Sequence, residues 1–290
     1  MKFSEQLASG NFVVTGEIGP PKGVDVARML EDAEHLRGKV AAINVTDLQS
    51  SVMRVGSLAV CRLLVEKGLE PIYQMTCRDR NRLALQSDLL SASILGTENV
   101  LALTGDAVPL GDHPAAKSVF DLDSVTLLQT IQTLMSGKDL SGNALEGTPR
   151  FFTGAVVSPC SEPLEPQIMK MEKKVEAGAK FFQTQAVYEP ERFEKFMGAV
   201  THLRVPVLVG IVLLKSPAMA KFMNEHVAGV HVPDAIIEEL ALVPKEDRKK
   251  KSVEIAARLI RKMRPLCQGA HIMPLGWDSE VPKVIGEAGL

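Results

Sequence analysis

Short apolar, β-branched runs recur along the chain, and each is followed by a stretch whose apolar positions return every three to four residues, the spacing of one helix face. The runs predict strands over Phe12–Ile18, Val40–Val45, Pro71–Thr76, Asn99–Leu103, Phe151–Val157, Phe181–Gln185, Val207–Val212 and Ala270–Met273. The stretches between them predict helices over Val26–Leu36, Val55–Lys67, Arg80–Leu95, Asp121–Met135, Pro163–Ala179, Pro190–Val200, Ala218–Asn224 and Lys250–Met263, with a short extra helix over Pro233–Leu240. Gly68, Gly96 and Gly178 stand where helices need a left-handed residue to stop, and Asp121 stands where a carboxylate can cap the N–H groups of an opening helix. Ser136–Pro149, rich in Gly, Ser and Asn, reads as one exposed loop.

The strand runs are mostly continuous rather than alternating, as in parallel strands covered on both faces. Eight such βα units fit a (β/α)8 TIM barrel, one α/β domain over residues 1–290, better than an open doubly wound sheet. No strand is followed by the glycine-rich turn of a dinucleotide-binding βαβ unit.

Composition narrows the function. Hydrophobic residues are 46% and charged residues 23%, enough for a sizeable core, and 33 basic against 35 acidic residues leave a formal charge of −2. That balance offers no electrostatic footprint for nucleic acid or anionic lipid, and aromatics at 4% are too few for a base-stacking platform. No run is long enough to span a membrane and the first residues lack a signal-peptide core, so a cytoplasmic location is expected. Cys61, Cys77, Cys160 and Cys267 are isolated from one another and from histidines at zinc-ligand spacing, so no metal is expected.

A barrel carries its chemistry at the C-terminal ends of its strands. Glu17 ends the first strand between apolar residues and Pro20-Pro21; partial desolvation there would raise its pKa and suit a general acid, and a rim salt bridge is the plainer alternative. Asn44, Thr46 and Asp47 end the second strand, and Gln74, Thr76, Cys77 and Arg78 the third, where either set could equally cap the next helix. Thr104-Gly105-Asp106 ends the fourth: Gly105 would let backbone approach a flat ligand with Asp106 at the mouth, or the segment is an ordinary turn. Thr184 and Gln185 end the sixth, where an amide matches the edge of a heterocycle or merely completes the rim. His226 and His231, the basic run Arg248–Lys251, and Met169, Met171, Met219 and Met223 read as a turn, a solvated helix start and core filling.

These segments resemble the methylenetetrahydrofolate reductase family of flavin-dependent barrels. The resemblance runs from about Phe12 to about Val232, with a weaker tail near Gly269 to Pro274, and rests on Glu17 with Pro20-Pro21, Thr76-Cys77, Leu103-Thr104-Gly105-Asp106, Phe120-Asp121-Leu122, Lys174 to Ala179 and Thr184-Gln185 in order. It implies FAD first, with FMN or direct hydride delivery from a nicotinamide behind it, and NADH or NADPH as possible donor. It makes Glu17 and Asp106 the catalytic pair, and gives Gln185, Asp106 and Thr46 to the folate. It gives Thr76, Thr104, Gly105, Asp106, Asp121 and Lys174 to the cofactor. Three positions depart from the family pattern: Thr104 stands where an Arg is common, Gln74 where a His is, and Gln167 where an Asp is expected before Lys174. The resemblance further implies a homo-oligomer and no appended regulatory domain, and leaves room for an electron-transfer partner protein. A pterin-binding methyltransferase barrel, or a subunit of a larger electron-transfer complex, is the alternative reading. The Ile272–Trp277 tail is expected to close the barrel.

Overall fold

The structure, a computed structural model, describes residues 1–290. In chain order its elements are α1 (Phe3–Ala8), β1 (Val13–Ile18), α2 (Ala27–Leu36), β2 (Ala42–Val45), α3 (Ser57–Glu66), β3 (Pro71–Thr76), α4 (Arg82–Ile94), β4 (Asn99–Leu103), α5 (Ser124–Met135) and β5 (Phe152–Val157). There follow α6 (Glu165–Glu176), β6 (Phe181–Ala186), α7 (Pro190–Val200), β7 (Val207–Val212), α8 (Pro217–His226), α9 (Asp234–Ala241), α10 (Arg248–Met263), β8 (Gly269–Met273) and α11 (Val281–Ala288). The eight strands pair in parallel and in sequence order, and β1 closes on β8 with Val13 opposite Gly269 and Thr15 opposite His271. The expected TIM barrel is the observed one. No helix is long and apolar enough to cross a membrane.

Residues pointing into the barrel change character from floor to mouth. At the floor Val13, Ala42, Ile72, Leu101, Phe181 and Leu208 form an apolar layer, closed from below by Phe3 and Leu7 of α1. Phe181 stacks on Phe152 at 5.2 Å and takes the edge of Phe3 at 5.1 Å. Burying Phe3 completely contributes on the order of 1.5 to 3 kcal/mol. Two positions further along several strands the inward residues turn polar, with Thr15, Asn44, Gln74, Gln183 and His271 all buried, while β4 and β7 carry Leu103 and Gly210 at that level. The larger apolar cluster lies between sheet and helices.

Gly68, Gly96 and Gly178 adopt the positive φ expected just past helix ends. Four details differ from the sequence expectation. Asp121 does not cap α5; Asp123 does, in a reciprocal arrangement with Thr126, while the Asp121 carboxylate accepts from the Arg82 backbone N–H and guanidinium. The helices α1 and α11 were not anticipated, because α1 is six residues long and α11 begins with a proline at its second position after the rim turns. Met169 is 57% exposed instead of filling the core, since it projects from the solvent side of α6 where Met171 faces inward. His226 ends helix α8 instead of lying in a turn.

Candidate active site at the barrel mouth

Glu17 leaves β1 and the Thr104-Gly105-Asp106 turn leaves β4, and both line one cavity of about 290 Å3 above the polar layer. Gln185, Thr76, Gln74, Asp47, Arg78 and His271 complete much of its wall. The sequence-derived residues Glu17, Asp106, Gln185, Thr76, Thr104 and Gly105 therefore converge. Three others stand apart. Thr46 is buried with its hydroxyl unpartnered and does not line the mouth. Asp121 lines a neighbouring open groove of about 550 Å3 that shares Thr104 and Gly105 with the mouth and also carries Phe120 and Asp123. Lys174, on the last turn of α6, donates to the Val156 carbonyl at 2.7 Å; burial and Lys170 push its ammonium down to about 8, with Asp123 opposing.

Local structure explains how these side chains reach the mouth. In β6 the pairing with β7 skips one residue between Gln183 and Ala186, a bulge that places Gln185 on the rim. The bulge is held by the Thr184 hydroxyl, which donates to the Gln185 carbonyl and accepts from the Gly210 N–H at 2.8 Å. A Cβ at Gly210 would stand 2.3 Å from the Thr184 carbonyl oxygen, so glycine is required opposite the bulge. Gly105 has φ +98°, and a Cβ there would meet the Thr76 and Arg78 Cβ atoms at 3.1 Å. Its bare backbone thus forms the edge between mouth and groove. Thr104 ties that edge to α5, accepting from the Ser124 N–H and donating to its hydroxyl.

Two arginines, Arg78 buried and Arg80 half-buried, hold the rim. Asp47 accepts from both Arg80 guanidinium nitrogens and from the Thr76 N–H and hydroxyl. Burial pushes the Asp47 carboxyl up, but these donors outweigh it and hold the group below its ordinary range. The Thr76 hydroxyl, though at the mouth, is therefore committed to Asp47. Arg78, 1% exposed, grips Asp79 and reaches the Ser51 hydroxyl and the Leu48 carbonyl. Leu48, Ser50 and Ser51 all have positive φ, so Arg78 fastens a strained loop, and the Ser51 hydroxyl passes the hold to the Asp106 and Ala107 carbonyls. The Asp106 carboxylate itself is exposed and unpaired.

Glu17 is 7% exposed. Its Oε2 accepts from Gln74 Nε2 at 3.2 Å and lies 3.5 Å from His271 Nε2. It also borders a second cavity of about 310 Å3, on the far side of Gln49, with Asp32, Arg54 and Asp278 in its wall. Asp278 is 5% exposed; burial, then Asp32 and Glu17, push its carboxyl up to about 6, against its own backbone and His35. Sequence reading missed His271, Gln183 and Asp278. For the first two a signal was available: Thr15 with Glu17 and Gln183 with Gln185 stand two positions apart in their strands, and His271 is the one polar residue of the apolar β8 run. Asp278 has no such signal, because it lies beyond β8 in a rim turn.

Two carboxylates without an arginine partner, Glu17 and Asp106, and several amides around a small slot suit recognition of a flat polar heterocycle and delivery of a proton to it. Residues 2–289 match the family described as "Methylenetetrahydrofolate reductase". The chain is similar to methylenetetrahydrofolate reductase 2 of Schizosaccharomyces pombe, at 27% identity over 99% of this chain and 47% of that protein. It is also similar to a probable methylenetetrahydrofolate reductase (NADPH) of Caenorhabditis elegans, at 22% identity over 77% of this chain and 33% of that one. The chain thus spans half or less of these relatives' length. Among solved structures it resembles a Clostridium thermocellum protein that binds two copies of 5-methyl-5,6,7,8-tetrahydrofolic acid, with a TM-score of 0.67 and 15% identity over 98% of this chain and 97% of that one, a likeness of fold.

Proposed function

Because the chain belongs to the methylenetetrahydrofolate reductase family, we propose that it reduces 5,10-methylenetetrahydrofolate to 5-methyltetrahydrofolate, with Glu17 as the acid. The observation that supports this most is the convergence of Glu17 from β1 and Asp106 from the end of β4 on one slot. The folate-binding barrel of similar fold agrees with a folate ligand.

The five-membered ring of the substrate must open to an iminium before hydride can reach its methylene carbon, and opening needs a proton at N10. Glu17, buried and facing the mouth, delivers it. Asp106, exposed and unpaired, contacts the pterin and favours the cation that ring opening creates. Gln185 supplies an amide to the pterin edge.

The residues present fit a flavin: a flat ring could lie along the Gly105 edge that mouth and groove share, and the open groove leads on from there past Phe120. When bound, the flavin supplies the hydride. Thr76, Thr104, Gly105 and Asp121 would line its path, and Lys174, whose pKa burial lowers to about 8, would offer a cation for its phosphates. FAD is the favoured flavin, NADH or NADPH or a partner protein the donor, the cytoplasm the location and a homo-oligomer the assembly.

The test separates the two half-reactions in anaerobic stopped flow. Glu17→Gln should leave reduction of the flavin by its donor intact and slow oxidation by methylenetetrahydrofolate about a hundredfold to ten-thousandfold. Both half-reactions surviving would remove Glu17 as the acid. Folate binding by a colourless protein without redox turnover would point to methyl transfer instead.

A further inference from the structure

Beneath the mouth a continuous row of buried polar side chains crosses the barrel and ends on Glu17. Asn44 Nδ2 donates to Gln183 Oε1 at 2.7 Å, and Gln183 Nε2 donates to Asn44 Oδ1 at 2.9 Å and to Thr15 Oγ1 at 3.2 Å. Thr15 Oγ1 lies 3.0 Å from His271 Nδ1. Because the threonine oxygen accepts from Gln183, its own proton is free to go to Nδ1, and the neutral imidazole then carries its proton on Nε2. Nε2 faces Glu17 Oε2 at 3.5 Å, and Gln74 Nε2 donates to that same oxygen. His271 is 3% exposed, so water does not compete for either ring nitrogen.

We propose that His271 is a positioning residue for Glu17: its Nε2–H, fixed by Thr15, reserves Oε2 as an acceptor and leaves Oε1 to carry the acidic proton toward the mouth. The proposal rests on the reading of Glu17 as the acid. As the proton leaves Oε1, charge spreads onto Oε2, where the Gln74 and His271 donors already wait, so the 3.5 Å contact tightens as the reaction proceeds. The other charged groups lining the two cavities with Glu17 are Asp47, Arg78 and Asp106 in the mouth and Asp32, Arg54 and Asp278 in the side cavity. None of them bonds to the imidazole, whose polar neighbours are Thr15 and Glu17 alone.

The test compares two amides that mimic opposite ring nitrogens. His271→Asn keeps a group near Nδ1 for Thr15 and withdraws the donor from Glu17; His271→Gln places an amide N–H near Nε2. The asparagine variant should slow flavin oxidation by methylenetetrahydrofolate at least tenfold, with KM and the donor half-reaction little changed, and the glutamine variant should restore most of that rate. A purely structural role would be served better by asparagine, which keeps the bond to Thr15, and would reverse the order. Nitrogen NMR of the labelled protein reads the tautomer independently of turnover, whether or not the variants fold. A proton on Nε2 is expected, and a proton on Nδ1 overturns the proposal. If Glu17→Gln is inactive in the folate step while His271→Asn matches wild type, the His271 inference fails alone. If Glu17→Gln is active, the assignment of the acid fails first.

Discussion

Asp278→Asn should stabilise the protein at neutral pH, and by an amount that depends on pH in a defined direction. The carboxyl is 5% exposed in the wall it shares with Asp32 and Glu17, and its pKa rises from 3.8 to about 6. A raised carboxyl binds its proton more tightly in the folded chain than in the unfolded one. Stability therefore falls as pH rises from about 4 to about 6, and the full cost is carried above that window. At about 1.4 kcal/mol per tenfold the difference amounts to about 3 kcal/mol as an upper figure. With an unfolding entropy near 2 cal/mol/K per residue, about 600 cal/mol/K in all, that is a rise of about 5 °C in Tm. Paired thermal scans of wild type and Asp278→Asn across this window give the measurement, since groups not coupled to Asp278 cancel in the difference. The two should coincide below about pH 4 and separate above about pH 6, with the variant higher. A gap that does not change with pH, or a variant that melts lower at neutrality, refutes the argument that an ionised carboxylate is trapped there.

Two further outcomes follow from the interior and the rim. Asn44→Val or Gln183→Leu alone strands its amide partner and should cost about 1 to 3 kcal/mol in urea unfolding, whereas the double variant should cost less than the sum of the two; simple additivity would mean that the reciprocal bonds contribute nothing. Gly105→Ala forces an L residue to φ +98° against Thr76 and Arg78, so it should lower stability by about 1 to 3 kcal/mol in urea unfolding; a variant as stable as wild type would show that the edge yields freely.

Eight alternating apolar runs specified the barrel because each strand is buried on both faces, and because glycines at 68, 96 and 178 mark helix ends through a φ that other residues resist. Glu17, Asp106 and Gln185 were visible for the same reason: polar residues at the ends of apolar strands have few structural duties. What escaped depends on the third dimension. His271 lies inside a strand and acquires meaning only when β8 closes against β1. Thr76 and Asp121 illustrate the opposite limit, since their positions near the mouth and groove were legible but their commitments to Asp47 and Arg82, 29 and 39 residues away, were not. The helix α1 is too short to show a periodic face, and it earns its place by docking Phe3 onto Phe152 and Phe181.

The seam between β1 and β8 also governs when the site can exist. Thr15 and His271 are 256 positions apart. At a ribosomal rate of about 5 to 20 residues per second, β1 waits on the order of 10 to 50 s for its last neighbour, with one edge unpaired. The surroundings of Glu17 are therefore assembled last, and a nascent chain released early exposes an apolar strand edge before it has any means of holding the Glu17 carboxyl in place.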